Sequence, residues 1–131
     1  MRVFVYGTLR KGGENHHFLV DSKYLGEEEI SGFKMFNIHG FYPAAVPSIQ
    51  NSTIKGEVYE IDGYTLQKLD HLEGCPHLYK RITVATTEGP AEIYVWNGLP
   101  DLLDNQIVSG DWFDVAKHKS AYRRSNLPEL E

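Results

Sequence analysis

Residues 3–10 read Val-Phe-Val-Tyr-Gly-Thr-Leu-Arg, and this run limits what the chain can fold into more than any other. Branched and aromatic side chains suit a pleated, half-buried surface, so Val3 to Tyr6 read as a buried strand. Gly7 ends it, because glycine reaches the positive φ at which consecutive N–H groups point one way. Two outcomes follow: a loop that can hold a carboxylate or phosphate, or an ordinary strand end with its turn.

The rest of the chain repeats the strand theme. Lys11 to Asn15 reads as a flexible connection and His16 to Val20 as a helical turn. Residues 23–38 look extended, with Ser31-Gly32 interrupting them as a bulge or bend. Ala44-Ala45-Val46 beside Pro47 reads as a short edge strand, and residues 54–61 as a strong one. From Tyr64 to Glu73 the apolar spacing becomes helical, with Asp62, Gly63 or Thr65 to start the helix and Gly74 with Pro76 to stop it. Residues 79–87 and 91–96 form a hairpin pattern joined by Glu88-Gly89-Pro90, and residues 115–124 have the pattern of a second helix. Many strands with few helices predict a closed or nearly closed sheet with helices laid against it.

Composition narrows the partners. With 131 residues, one domain over 1–124 and a flexible tail over 125–131 are expected. A net charge of -5 leaves no electrostatic footprint for nucleic acid or an anionic membrane. The lone Cys75 permits no internal disulfide and points to the cytoplasm. The first apolar run stops at Gly7, too short for a signal segment, and no later stretch approaches a membrane span.

Among residues that can do chemistry, Glu73 stands out for a geometric reason. Leu66, Leu69 and Leu72 mark one arc of the helix, and at about 100° per residue Glu73 falls inside it. A carboxylate aimed at an apolar face is costly, and burial favours its protonated form, which suits a proton shuttle. The alternatives are an ion pair with Arg81 or Lys80, or a solvated side chain at a fraying helix end. Asp70 lies nearer the edge of the arc and reads as solvated. Cys75 and His77 raise a thiol nucleophile with a base, but Pro76 separates them and no third orienting group is near in sequence. His16 and His17 are adjacent and face different ways, and no Cys-x-x-Cys or His-x-x-x-His spacing occurs, so no metal is expected. The glycines near residue 7 match neither the dinucleotide nor the Walker pattern, so no cofactor is expected.

Five blocks in order carry a resemblance. They are Tyr6-Gly7-Thr8-Leu9-Arg10-Lys11-Gly12, Phe41-Tyr42-Pro43-Ala44, Gly56 to Ile61, Leu69-Asp70-x-Leu72-Glu73-Gly74 followed by Tyr79-x-Arg81, and Ser109-Gly110-Asp111-Trp112. Together they resemble the γ-glutamylcyclotransferase-like, or AIG2-like, family from residue 2 to about residue 113. The resemblance implies an α+β fold, a small mixed β-barrel with flanking short helices and a ligand cavity at one end. It implies an enzyme that releases 5-oxoproline from a small-molecule γ-glutamyl amine or related γ-glutamyl compound. Carried over by position, Tyr6, Gly7, Thr8 and Leu9 become substrate-binding residues, Glu73 the acid/base, and Tyr79 the matching tyrosine. A non-catalytic ligand-binding module of the same fold is the alternative, and the Cys75/His77 thiol hydrolase ranks third. The loops at 11–17 and 101–108 are the expected cavity rim.

Overall fold

The computed structural model describes residues 1–115. Of the expected helix at 115–124 only Val115 is among them; the rest of that helix and the tail at 125–131 lie outside the described residues.

All strands among the described residues join one mixed sheet in the order β2-β5-β1-β7-β4-β3, with β6 added on β7. The strands are β1 (Arg2–Val5), β2 (Lys23–Ser31), β3 (Phe33–Ile38), β4 (Tyr42–Pro47), β5 (Thr53–Glu60), β6 (Tyr79–Thr86) and β7 (Gly89–Trp96). Helix α1 (Gly63–Leu72) follows β5, and 3-10 turns occupy His16–Leu19 and Pro100–Leu102. The alternation read in β1 is realised: Val3 and Val5 enter the core under α1, beside Leu69 and Leu19, while Phe4 enters the other core with Ile54, Val58 and Ile93. Both faces of the sheet are thus buried near its centre.

Gly32, with φ of +93°, breaks the long extended run into β2 and β3. These two strands are the opposite ends of the sheet path, so a single residue brings the ends to one corner. There Gly32 donates to the Ser52 carbonyl and accepts from the Ser48 amide, but no ladder joins β2 to β3. The α+β class is as expected; the sheet curls without closing, so barrel describes it only loosely.

Two local expectations change. Strand β4 is not an edge but lies between β3 and β7, meeting β7 at Ala45↔Val95, between its two prolines. Proline without a ladder donor is tolerated there because the pairing to β7 is confined to the proline-free middle. The hairpin turn falls at Thr87-Glu88, since Gly89, with φ of +100°, already pairs with Thr86.

The site is set by how β7 shares its edges. Strand β6 covers one edge along its whole length, from Tyr79↔Trp96 to Thr86↔Gly89. The other edge is divided: β1 pairs near its start at Val3↔Glu92, and β4 takes over at Ala45↔Val95. Where β1 departs and β4 arrives, the sheet forks. Divergence of neighbouring strands leaves a crevice at the carboxyl end of the departing strand, the general reason ligand sites form at such points.

Candidate active site

The crevice is a cavity of about 270 Å³. Gly7, Thr8 and Leu9 line one side and Glu73 another, with Tyr6, Tyr79 and Tyr94 as walls. Every site residue expected from the sequence therefore faces one space.

Glycine is needed at position 7 for a different reason from the one expected. Its φ is not positive; instead a Cβ there would stand 2.6 Å from Cγ of Pro43. The chain end of β1 and the start of β4 touch at this point, and only a hydrogen side chain fits. Beyond it the loop is tied rather than flexible. The Arg10 amide donates to the Gly7 carbonyl (3.0 Å), the Asn15 amide to the Thr8 carbonyl (2.9 Å), and the Asn15 side-chain amide to the Thr8 hydroxyl (2.9 Å). The amides of Gly7, Thr8 and Leu9 have no protein acceptor among the described residues. Unpaired donors on a cavity wall are what an anion or a developing oxyanion requires.

A buried charge network fastens this loop to the sheet. Arg10 is 6% exposed and Glu57 4%, and their Nε and Oε2 lie 3.2 Å apart. Arg10 also reaches Asp111 through Nη1 at 2.9 Å, and its guanidinium lies 4.2 Å from the Phe113 ring centre. Glu57 Oε1 accepts from the Lys11 amide and the Tyr59 hydroxyl, each at 2.8 Å. Both ions are hydrogen-bonded on several sides, the condition under which buried charge is tolerated.

Helix α1 delivers Glu73. Asp62 caps its start by accepting from the Thr65 amide at 2.8 Å, and Gly74, with φ of +61°, ends it. Glu73 is the C-cap residue, one turn beyond the fully buried Leu69, and its amide donates to the Leu69 carbonyl. Its side chain shares the inward face, as the helical arc predicted. The ion pair weighed as an alternative does not form. Arg81 is engaged by Asp70 and Glu92, each at 2.7 Å, and Asp70 also accepts from the Tyr94 hydroxyl at 2.6 Å. Asp70, expected to be solvated, is instead half-buried in that network. No cation or hydrogen-bond donor holds the Glu73 carboxyl among the described residues. It is only half-buried by surface area, because it opens onto the cavity, yet the surrounding protein desolvates it and raises its pKa to about 7.

The tyrosines have other work. The Tyr6 hydroxyl donates to the Tyr94 carbonyl at 2.6 Å and accepts from the Ala45 amide at 3.0 Å, bridging β7 and β4 across the fork. Tyr79 donates to the Pro43 carbonyl at 2.7 Å, and its ring packs edge-on against Trp96. Burial, with the Glu73 charge contributing, holds both phenols far above their ordinary pKa. They stay neutral, which leaves Glu73 as the ionisable carboxyl of this cavity.

Cys75 packs against the core under α1 while His77 is exposed, and no hydrogen bond joins them. The rim expectation holds for Asn15, but residues 101–108 do not line the cavity; they run along β3, where Asp104 and Ile107 donate to Asn37 and Met35. Asn15 and the Arg10–Glu57–Asp111 clamp were not singled out from sequence. The available signal was Glu57 itself, an acid directly before Val58-Tyr59 in a strand pattern, on the same face of the strand as Tyr59.

The family model described as gamma-glutamyl cyclotransferase, AIG2-like, matches residues 3–114. The chain belongs to this family. It is 41% identical over 117 residues to the gamma-glutamylcyclotransferase family protein YtfP of Escherichia coli K12, covering 89% of this chain and all of that one. The solution structure of the Escherichia coli protein superposes with a TM-score of 0.70 at 42% identity, over 87% of this chain and 97% of that one. A crystal structure of an uncharacterized Pyrococcus horikoshii protein superposes with a TM-score of 0.79 at 32% identity, covering 93% and 98% of the two chains. An AIG2-like protein from Mus musculus is similar at 26% identity and a TM-score of 0.66, over 77% of this chain and 80% of that one. Among the described residues no helix is long and apolar enough to cross a membrane.

Proposed function

We propose that this chain is a cyclotransferase that releases 5-oxoproline from a γ-glutamyl compound, with Glu73 moving the proton. One observation carries the reading: Glu73, whose carboxyl has no cation or donor among the described residues, lines one small cavity together with Gly7, Thr8 and Leu9, whose amides have no protein acceptor there.

The reaction needs no side-chain nucleophile, because the substrate's own α-amine attacks its γ-carbonyl. Glu73 takes a proton from the α-ammonium, and the freed amine closes the five-membered ring. As the bond to the leaving nitrogen breaks, Glu73 returns that proton to it. The second proton lost by the ring nitrogen goes to solvent, and the departing amine takes one up there. The amides of Gly7, Thr8 and Leu9 hold the substrate carboxylate or the developing oxyanion, and such a donor is worth about 3 kcal/mol where one has been removed elsewhere. Acid/base help contributes roughly 10²- to 10⁴-fold. Holding the substrate folded in a confined space supplies the rest.

The test is Glu73→Gln, checked for folding by circular dichroism and assayed for 5-oxoproline from a panel of γ-glutamyl amides and γ-glutamyl amino acids. Turnover is expected to fall by about 10²-fold or more. Undiminished turnover by the variant ends the proton-shuttle reading. Binding across the panel with no product from the unaltered protein would make the chain a ligand-binding module of this fold.

A further inference from the structure

Most hydrogen-bonding side chains that line the cavity already donate within the protein. The hydroxyls of Tyr6 and Tyr79 donate to the carbonyls of Tyr94 and Pro43, and that of Tyr94 to the Asp70 carboxylate. Tyr42 stands at the mouth, 51% exposed, where water serves it. No Lys, Arg or His lines the cavity among the described residues, so an anionic ligand there has to be met by neutral donors. Thr8 differs from the three tyrosines that donate. Its hydroxyl accepts from the Asn15 side-chain amide at 2.9 Å, and no protein acceptor among the described residues takes its own proton. A hydroxyl has one O–H beside two lone pairs, so accepting from Asn15 leaves that proton for a ligand. Both residues line the cavity.

From this we infer that the Thr8 hydroxyl donates to the substrate's α-carboxylate, and that Asn15 is the positioning residue that gives the hydroxyl this polarity. The inference rests on the cyclotransferase reading of the same cavity. In a planar trans peptide the carbonyl and the following N–H point in opposite directions. The carbonyls of Gly7 and Thr8 are held inside the loop by the amides of Arg10 and Asn15, so the N–H groups of Thr8 and Leu9 leave it on the other side. The Thr8 side chain sits between those two peptides. A carboxylate has about four acceptor sites, more than two amides fill, and a third donor on the same residue completes the set. Hydrogen bonds to a charged acceptor are about twice as strong as neutral ones, so the contact weighs on affinity. The loop itself does not depend on either side chain. Backbone bonds from Arg10 to Gly7, Gly13 to Arg10 and Asn15 to Thr8 hold its turns.

5-Oxoproline keeps that carboxylate, so its binding reads the contact without turnover, and 5-oxoprolinamide replaces the charge by a neutral amide. Both are titrated calorimetrically against the unaltered protein and against variants whose folding is confirmed by circular dichroism. Thr8→Val is expected to weaken 5-oxoproline by about tenfold or more and the amide by less than about threefold, whereas Thr8→Ser, which keeps the hydroxyl, stays within about threefold for both. Asn15→Asp takes the Thr8 proton for itself and adds a negative charge, so it is expected to weaken 5-oxoproline more than Thr8→Val does. Asn15→Ala is expected to cost about threefold alone and less than about twofold in the Thr8→Val background, because its effect travels through the hydroxyl. Equal weakening of both ligands by Thr8→Val overturns the inference, as does Asn15→Asp binding 5-oxoproline like the unaltered protein, or an Asn15→Ala loss undiminished beside Thr8→Val. So does 5-oxoproline that fails to bind the unaltered protein at millimolar concentration. The Thr8 and Asn15 dependences found in a protein that turns over no γ-glutamyl compound would end the cyclotransferase reading and leave the contact standing; turnover without them would do the reverse.

Discussion

In the proposed reaction Glu73 can exchange a proton near neutral pH only because it lacks what most buried carboxylates have, a cation or a donor among the described residues. Arg81 sits close in sequence, but Asp70 and Glu92 occupy it. The carboxyl therefore carries its desolvation unrelieved, and its pKa rises from the ordinary 4.5 to about 7. The negative end of α1, where it is the C-cap, acts in the same direction. Two measurements follow. As the base, Glu73 must be ionised, so kcat/KM for a γ-glutamyl amide is expected to climb as pH rises through about 7, and a profile flat from pH 6 to 8 would assign the proton to another group. Stability moves the other way. Between the unfolded value near 4.5 and the folded value near 7 the native state holds the proton more firmly, so stability present at low pH is lost as pH rises through that window. Glu73→Gln never carries the charge. At pH 8 it is expected to be more stable than the unaltered protein by on the order of 1–2 kcal/mol, discounted for the opening to solvent, and nearly equal to it at pH 4. Urea midpoints at the two pH values test this; equal midpoints at pH 8 would mean the carboxyl is not desolvated.

The loop between β1 and the first 3-10 turn is the element on which the site depends, and it was only half legible. The strand, its glycine stop and the facing helix with an inward acid follow from local pattern, because each depends on residues within a turn or two of one another. The clamp does not, since Arg10 meets Glu57 and Asp111 across 47 and 101 positions and no local period encodes such pairs. The same limit explains why Lys11 to Asn15 looked like a free connection: Gly and polar residues there close tight turns whose anchors lie elsewhere. Glu57→Gln keeps the shape and removes the charge beside a buried guanidinium. It is expected to cost about 1–3 kcal/mol, with Asp111 still holding Arg10. KM for substrate is expected to rise with it, because glutamine has one acceptor oxygen where the carboxylate uses two to hold the Lys11 amide, the Tyr59 hydroxyl and Arg10 Nε, so the loop loses at least one of its ties. Calorimetric unfolding and steady-state kinetics report the two effects, and a stable variant with unchanged KM would detach the clamp from the site.

At the scale of the molecule, the site exists because β7 hands one edge from β1 to β4, and the hydroxyl of Tyr6 stands in the gap. Local patterning predicted the strands but not their order. The run 23–38 reads as one extended piece, yet Gly32 sends its halves to opposite ends of the sheet, and Ala44 to Val46 reads as an edge because Pro47 adjoins it, whereas it lies between two strands. Pairing across such distances is decided by packing both faces at once, as Phe4 and Val5 do in opposite cores. Tyr6 is where this architecture and the expected chemistry compete. The family resemblance makes it a substrate-binding residue, while its hydroxyl already donates to Tyr94 and accepts from Ala45. Tyr6→Phe separates the two roles. Removing the hydroxyl leaves a carbonyl and an amide unpaired at the fork, so the variant is expected to lose about 1–3 kcal/mol in urea unfolding. The ring still walls the cavity and the amides next to it remain, so 5-oxoproline release by the folded protein, assayed below its transition, is expected to fall by less than about tenfold. Turnover abolished with the unfolding midpoint unmoved would reverse the assignment, placing that hydroxyl on the substrate rather than in the sheet.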